Sequence, residues 1–211
     1  MSDGPGRFIT LEGGEGAGKS TQIARLKGWL ESRGRPVVAT REPGGSPGGE
    51  AIRKLLVEGS AERWDGTTEA LLHFAARRDH LRATVWPALK KGAWVLSDRF
   101  ADSTRAYQGY GHGLDLAILD RLYDTAVGAF RPDLTLVLDL PVETGLARAA
   151  ERRGVETRYE SLPRDFHERV RKGFLEIAKR EPKRCAVIDA TKDIDTIAAA
   201  ITRVVTDRLG S

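Results

Sequence analysis

At 211 residues the chain is long enough for one α/β domain with a substantial buried core, with room for at most a small lid besides. Its net charge of +4, from 34 basic and 30 acidic side chains, suits an anionic partner without separating nucleotide from nucleic acid. The single cysteine, Cys185, excludes an internal disulfide and a cysteine zinc cluster; no apolar run approaches the ~20 residues of a membrane span, and Met1 to Gly6 carry no signal-peptide core, so a cytoplasmic protein is expected.

Phe8-Ile9-Thr10-Leu11 reads as a short buried strand, and Ile23, Leu26 and Leu30 share one face of the helix that follows, stopped near Gly34. Pro36 to Thr40 is a second strand; Arg41 to Gly49 is a loop rich in turn formers, followed by a helix from Glu50 to Val57. Thr67 to about Lys91 reads as one long helix with Leu71, Phe74, Arg78, Leu81, Val85 and Leu89 on one face, kinked or cut short by Pro87. Ala93 to Ser97 is the third strand. Thr104 to Gly113 is a glycine-containing segment, and Leu114 to Val127 a helix. Leu134 to Leu138 is the fourth strand, Val142 to Arg153 a helix, and Gly154 to Pro163 polar and irregular. Arg164 to Arg180 is helical with Phe166, Val170, Phe174 and Ile177 on one face; Ala186 to Ile188 is the fifth strand, and a last helix carries Ile194, Ile197, Ile201, Val204 and Leu209. Five apolar runs alternating with helices predict a five-stranded parallel sheet with helices on both faces, whose ligands bind at the carboxyl ends of the strands. The reading is one domain over 1–211, with a short lid at about 150–163.

The chemistry centres on Gly13-Gly14-Glu15-Gly16-Ala17-Gly18-Lys19-Ser20, followed by Thr21. The run matches G-x-x-x-x-G-K-[ST] between a strand and a helix, the setting of a phosphate-binding P-loop. Glycines let backbone N–H groups turn inward around phosphate oxygens, and the helix N-terminus adds positive potential. Lys19 is then placed for the β- and γ-phosphates and Ser20 for Mg²⁺. Asp98, at the end of an apolar strand, fits either the second metal-holding group or a helix cap. Arg99 fits a phosphate clamp or an ion pair. Phe74 and Arg78, four apart, would offer a base a ring and a planar donor, although a phenylalanine at this spacing is more often core. Arg148, Arg152, Arg153 and Arg158 lie near the polar lid and would bring positive charge onto transferring phosphate, with Arg153 or Arg158 favoured for the catalytic role. His73, His80, His112 and His167 show no metal-binding spacing.

Taken in order, Leu11 to Thr21, Thr40-Arg41-Glu42-Pro43-Gly44-Gly45, Phe74-Ala75-Ala76-Arg77-Arg78, Asp98-Arg99-Phe100, Ala106-Tyr107-Gln108-Gly109, Arg131 to Thr135 and Leu138-Asp139-Leu140-Pro141 make the chain resemble the thymidylate kinase family over nearly its whole length. The resemblance implies the P-loop nucleoside monophosphate kinase fold, phosphorylation of dTMP to dTDP with ATP and Mg²⁺ in dTTP synthesis for DNA replication, and a homodimer that binds neither nucleic acid nor membrane. It places Glu15 near the sugar 3′-hydroxyl, Phe74 on thymine, Arg78 at the base edge, Arg99 on the acceptor phosphate, Thr104 and Tyr107 along base and sugar, and Arg148 beside adenine. Pro43 and Gln108 join the substrate set. The family places its catalytic arginine either in the P-loop or in the lid. Gly16 stands at the P-loop position, so the lid form is implied, with Thr157-Arg158 where Asp-Arg is frequent. A uridylate or cytidylate kinase, a GTPase (for which no N-K-x-D motif is present) and a nucleic-acid-stimulated ATPase are the alternatives.

Overall fold

The structure is a computed structural model and describes residues 5–151 and 158–210. Five strands, β1 (Phe8–Glu12), β2 (Val37–Arg41), β3 (Trp94–Asp98), β4 (Leu134–Asp139) and β5 (Cys185–Asp189), form one parallel sheet in the order β2-β3-β1-β4-β5. The strand nearest the motif, β1, is central and buried throughout its length. Each strand ends on the same rim, where Glu12, Arg41, Asp98, Asp139 and Asp189 stand.

Period-two alternation sends β1 side chains to two different cores. Ile9 and Leu11 pack with Leu96, Leu134 and Leu136 against Ile23, Leu26 and Leu30 of α1 (Lys19–Glu31) and Ile197, Ile201 and Val205 of α9 (Ile194–Leu209). Phe8 packs on the opposite face with Val95, Phe74, Leu81, Val85, Phe100, Leu119 and Tyr123. A third cluster joins Val137 and Cys185 to the Phe166, Val170, Phe174 and Ile177 face of α8 (Arg164–Arg180), as the spacing predicts. Cys185 is a buried core thiol, pushed up to about 12 by burial.

Two segments differ from expectation. The long helix is interrupted: α3 (Gly66–His80) passes through a wider turn at Leu81–Val85 into α4 (Trp86–Lys90). Pro87 has no N–H to give and its ring crowds the carbonyl four residues back; a turn with i→i+5 bonding accommodates both and keeps the chain helical. The face expected to hold Leu71 and Arg78 is also displaced, since both are exposed while Ala70, Phe74, Arg77 and His80 are buried. Secondly, the glycine-containing segment is helical. α5 (Ala101–Thr104) runs into a widened helical stretch, Arg105–Gly111, before α6 (Leu116–Ala126). Its glycines mark close approaches: a Cβ on Gly109 would meet Leu116, and one on Gly111 would meet Phe166. Among the described residues α2 (Pro47–Val57), capped by Ser46, and α7 (Val142–Ala150) complete the α-helices. Among the described residues no helix is long and apolar enough to cross a membrane.

Candidate active site

The P-loop lies where β1 hands over to α1. Gly13, Gly16 and Gly18 have φ of 139°, 67° and 86°, a region that L side chains disfavour. Space is restricted as well. A Cβ on Gly13 would stand 2.5 Å from the Leu138 carbonyl oxygen, and one on Gly16 would overlap the Gly145 carbonyl of α7. Position 16 therefore has no room for an arginine in this packing, in keeping with the reading that the loop supplies none. Lys19 Nζ curls back over the loop and donates to the carbonyls of Gly13 (3.2 Å) and Gly14 (2.9 Å). Burial and the Arg99 charge lower its pKa, against Asp98 and Glu15, which support the charged form. Ser20 Oγ donates to Asp98 Oδ2 at 2.8 Å across α1 and β3.

Arg99 links this loop to a neighbouring cleft. Its φ of 69° is the single positive value at a non-glycine residue among those described. Its guanidinium donates to Gly13 O (3.0 Å), Ser103 Oγ (3.1 Å), Glu15 Oε1 (3.0 Å) and the Tyr107 hydroxyl (2.9 Å). Tyr107 in turn donates to Glu15 Oε1 at 2.6 Å. Burial alone would raise Glu15, but Arg99 and Lys19 outweigh it and hold the carboxyl at about 2. Three residues earlier Glu12 behaves oppositely: burial, reinforced by Asp102, pushes it up to about 8.

The cleft is lined by Glu15, Glu42, Pro43, Arg53, His73, Arg99, Ser103, Tyr107, Gln108 and Tyr159. Arg77 lies beneath it, donating to Glu42 Oε2 (2.8 Å) and Thr104 Oγ1 (3.0 Å), with Nη1 buried and unpartnered among the described residues. His80 braces Glu42 from the far side (2.9 Å). His73 stands opposite Tyr159, ring nitrogen to hydroxyl 3.1 Å; burial and the Arg77 charge lower it to about 4, so the imidazole is neutral near pH 7. Behind Tyr159, Glu69 accepts from Gln108 at 2.8 Å and from Arg158. Burial would raise Glu69, but bonds from His112, Arg158 and Gln108 together pull it down to about 2.

Several sequence-derived assignments come together here and others do not. Lys19, Ser20, Asp98, Arg99, Glu15 and Tyr107 converge; Pro43 and Gln108 line the cleft, and Thr104 supports Arg77 from below. The Phe74–Arg78 pair is corrected. Phe74 is a core residue packed edge-on against Tyr123, and Arg78 is exposed, bonded to the Ala126 carbonyl and stacked over Trp86. The inward guanidinium belongs to Arg77, whose Cζ lies 4.8 Å from the Phe74 ring, and the ring on the cleft wall belongs to His73. The helix turned toward the sheet sets this: the stripe of positions 70, 73, 74, 77 and 80 faces inward, so 78 falls at its edge. Arg158 is also corrected. It is almost fully buried, and its guanidinium donates to Leu56 O (3.1 Å), Ser60 O (2.9 Å) and Glu69, which ties Arg158 to α2, to the connection after it and to α3. Arg152 and Arg153 lie outside the described residues, while Arg148 is exposed in the last turn of α7. His73, Arg77, Glu42, Arg53 and Tyr159 were missed as site residues. The adjacent Arg77-Arg78 doublet offered two choices of register, and Glu42 stood inside a motif whose role was not resolved.

This geometry can be set beside known proteins. A family model described as thymidylate kinase matches residues 11–201. The thymidylate kinase of Caulobacter vibrioides (strain ATCC 19089 / CIP 103742 / CB 15) is 58% identical over 205 residues, covering 97% of this chain and 98% of its own. That of Rhodopseudomonas palustris (strain TIE-1) is 54% identical over 207 residues, covering 97% and 90%. Among solved structures, the thymidylate kinase from Ehrlichia chaffeensis superposes with a TM-score of 0.78 at 33% identity, over 96% of this chain and 100% of that one. A parallel sheet carrying a P-loop, an arginine just past the adjoining strand end and a polar cleft beside both, matched over almost the entire length by such relatives, means that the chain belongs to the thymidylate kinase family.

Proposed function

We propose that the chain transfers the γ-phosphoryl group of ATP to the phosphate of dTMP, giving ADP and dTDP. The observation that carries this is the Arg99–Glu15–Tyr107 triangle, which joins the P-loop directly to the neighbouring cleft. A donor phosphate on the loop and an acceptor phosphate in the cleft would meet at Arg99. The acceptor phosphate is already nucleophilic, so positioning and charge neutralisation carry the reaction without a strong base.

In this reading the Gly13–Thr21 backbone and Lys19 hold the donor phosphates, Lys19 leaving its two loop carbonyls to do so. Ser20 and Asp98 would hold Mg²⁺: a hydroxyl and a carboxylate already in contact at the loop are the hard oxygen donors that ion takes. When bound, the ion would supply charge neutralisation for the transferring phosphate. Arg99, with its planar fork of donors, grips the acceptor phosphate. Arg77 Nη1 supplies a donor for the polar edge of the base, His73 a ring beside it, and Tyr107 limits the space at the sugar. Arg148 flanks adenine from the exposed end of α7, and Arg153 supplies the lid charge. The protein acts in the cytoplasm on small-molecule substrates, as a homodimer that would cover the exposed Leu55 of α2 and Leu71 of α3.

A coupled assay of ADP release from ATP tests the reading directly, run against dTMP, dUMP, UMP and dCMP. dTMP is expected to give the highest kcat/KM. A higher value for UMP or dCMP would overturn it, and light scattering after gel filtration checks the dimer.

A further inference from the structure

Glu12 is a buried carboxyl with no exposed surface, at the end of the central strand, and it does not line the cleft described above. Burying a carboxyl is costly unless its oxygens find partners. Both have one, and both partners belong to the segment that carries Arg99. Oε1 accepts the backbone N–H of Phe100 at 2.7 Å, and Oε2 lies 2.5 Å from Ser103 Oγ. Phe100 is the residue directly after Arg99, whose backbone occupies the left-handed region. Ser103 Oγ is also the oxygen to which Arg99 Nη1 donates at 3.1 Å.

We infer that Glu12 is the positioning residue of Arg99, fixing its backbone through Phe100 and its guanidinium through Ser103, so that the fork points at the acceptor phosphate. This rests on the reading of Arg99 as the phosphate clamp. The left-handed turn at Arg99 is one an L residue adopts only when its surroundings fix it, and the Phe100 N–H bond is a direct restraint on it. Of the guanidinium's four partners, Gly13 O and Glu15 lie on the loop, while Ser103 and Tyr107 lie on the helical segment that follows Arg99. Ser103 is the nearer of these two along the chain, and Glu12 holds Ser103. With Glu12 gone the arginine would keep its charge and lose its aim. A misplacement of about 1 Å at a reacting centre costs on the order of 10²-fold.

The experiment combines Glu12→Leu, Glu12→Gln and Ser103→Ala with Arg99→Ala, reading KM and kcat for dTMP and KM for ATP at a temperature where each variant is folded. Leucine fills the volume and offers no acceptor; glutamine keeps an acceptor for Phe100 and a polar partner for Ser103. Expected are a loss of about 10- to 100-fold in kcat/KM for dTMP in Glu12→Leu, recovery to within about 3-fold in Glu12→Gln, an unchanged KM for ATP, and no further loss when Glu12→Leu is added to Arg99→Ala. If Glu12→Leu does not fold, Ser103→Ala enters the same cycle, with an expected loss of up to about 10-fold that again vanishes beside Arg99→Ala. Normal kcat/KM in the folded variants, or a loss of equal size with and without Arg99, would overturn the inference and leave Glu12 as part of the fold. Wild-type turnover in Arg99→Ala alone would overturn both this inference and the role of Arg99 itself, which separates the two failures.

Discussion

The two halves of the site are built by different means. The phosphate half is largely backbone: glycines at positive φ, carbonyls bonded to Lys19, a helix N-terminus, and a hydroxyl–carboxylate pair set by where α1 begins and β3 ends. The base half is built from side chains reaching across helices. Glu42, Arg77 and His80 form a buried hydrogen-bonded cluster, and Glu69 gathers Gln108, His112 and Arg158. The difference teaches where tolerance lies. A backbone cradle suits any nucleoside triphosphate and depends on a few local residues, whereas a cleft of interlocked side chains discriminates among bases and is stable only when every charge in it is paired.

Lys19→Met gives the sharpest break in the phosphate half. kcat should fall by about 10³-fold, in the range lost when one donor to developing charge is removed, while dTMP affinity stays within a few-fold because the cleft is untouched. Separate measurement of kcat and of the dTMP dissociation constant decides it, and near-normal turnover would remove Lys19 from the reaction.

Arg77→Ala is the matching break in the base half. Losing a charged donor costs about 1.5–3 kcal/mol, or roughly 10- to 150-fold in kcat/KM for dTMP. Here the melting temperature should fall too, since Glu42 loses its cation while buried. A lowered melting temperature with an unaltered preference among dTMP, dUMP and dCMP would make Arg77 purely structural.

The two halves also part in their response to acid and alkali. Glu69 titrates at about 2 against an ordinary 4.5, so its contribution to stability is present above 4.5 and is lost as pH falls toward 2. A shift of that size corresponds to on the order of 3 kcal/mol. Glu12, raised to about 8, has the opposite sign: its contribution is present below 4.5 and is lost as pH rises through 8. Thermal melts of Glu69→Gln and Glu12→Gln from pH 3 to 9 should flatten the acid limb in the first and the alkaline limb in the second. Parallel curves would show that neither group titrates as its surroundings dictate.

Arg158→Ala tests what the buried Arg158 holds in place. With its guanidinium on Leu56, Ser60 and Glu69, its loss should raise the dTMP KM by up to about 10-fold and lower stability, with a smaller change in kcat. A fall in kcat near 10³-fold at constant stability would return Arg158 to the transfer centre. Smallest of all, Arg78→Ala should change kcat/KM less than about 2-fold, as an exposed surface substitution does.

The sequence by itself determined the parts whose geometry is local. Strand, glycine loop and helix are contiguous between Phe8 and Glu31, and the loop conformation follows from which residues are glycine. Asp98 and Arg99 were legible for a related reason, since a strand end in a parallel sheet points to the ligand rim whatever the rest of the chain does. The α8 face was equally plain, because an unbroken helix preserves its 3.6-residue period. What only the tertiary structure decided was which side of α3 turns inward. Arg77 and Arg78 are identical in type and differ by 100° around the helix, an angle fixed by how α3 packs on the sheet and on α6. The roles of Glu69 and Arg158 had the same origin. They lie 89 positions apart, and nothing local to either predicts that a buried carboxylate on α3 would claim Arg158. Charges pair with whatever the fold brings within reach, and that reach is set by packing rather than by spacing along the chain.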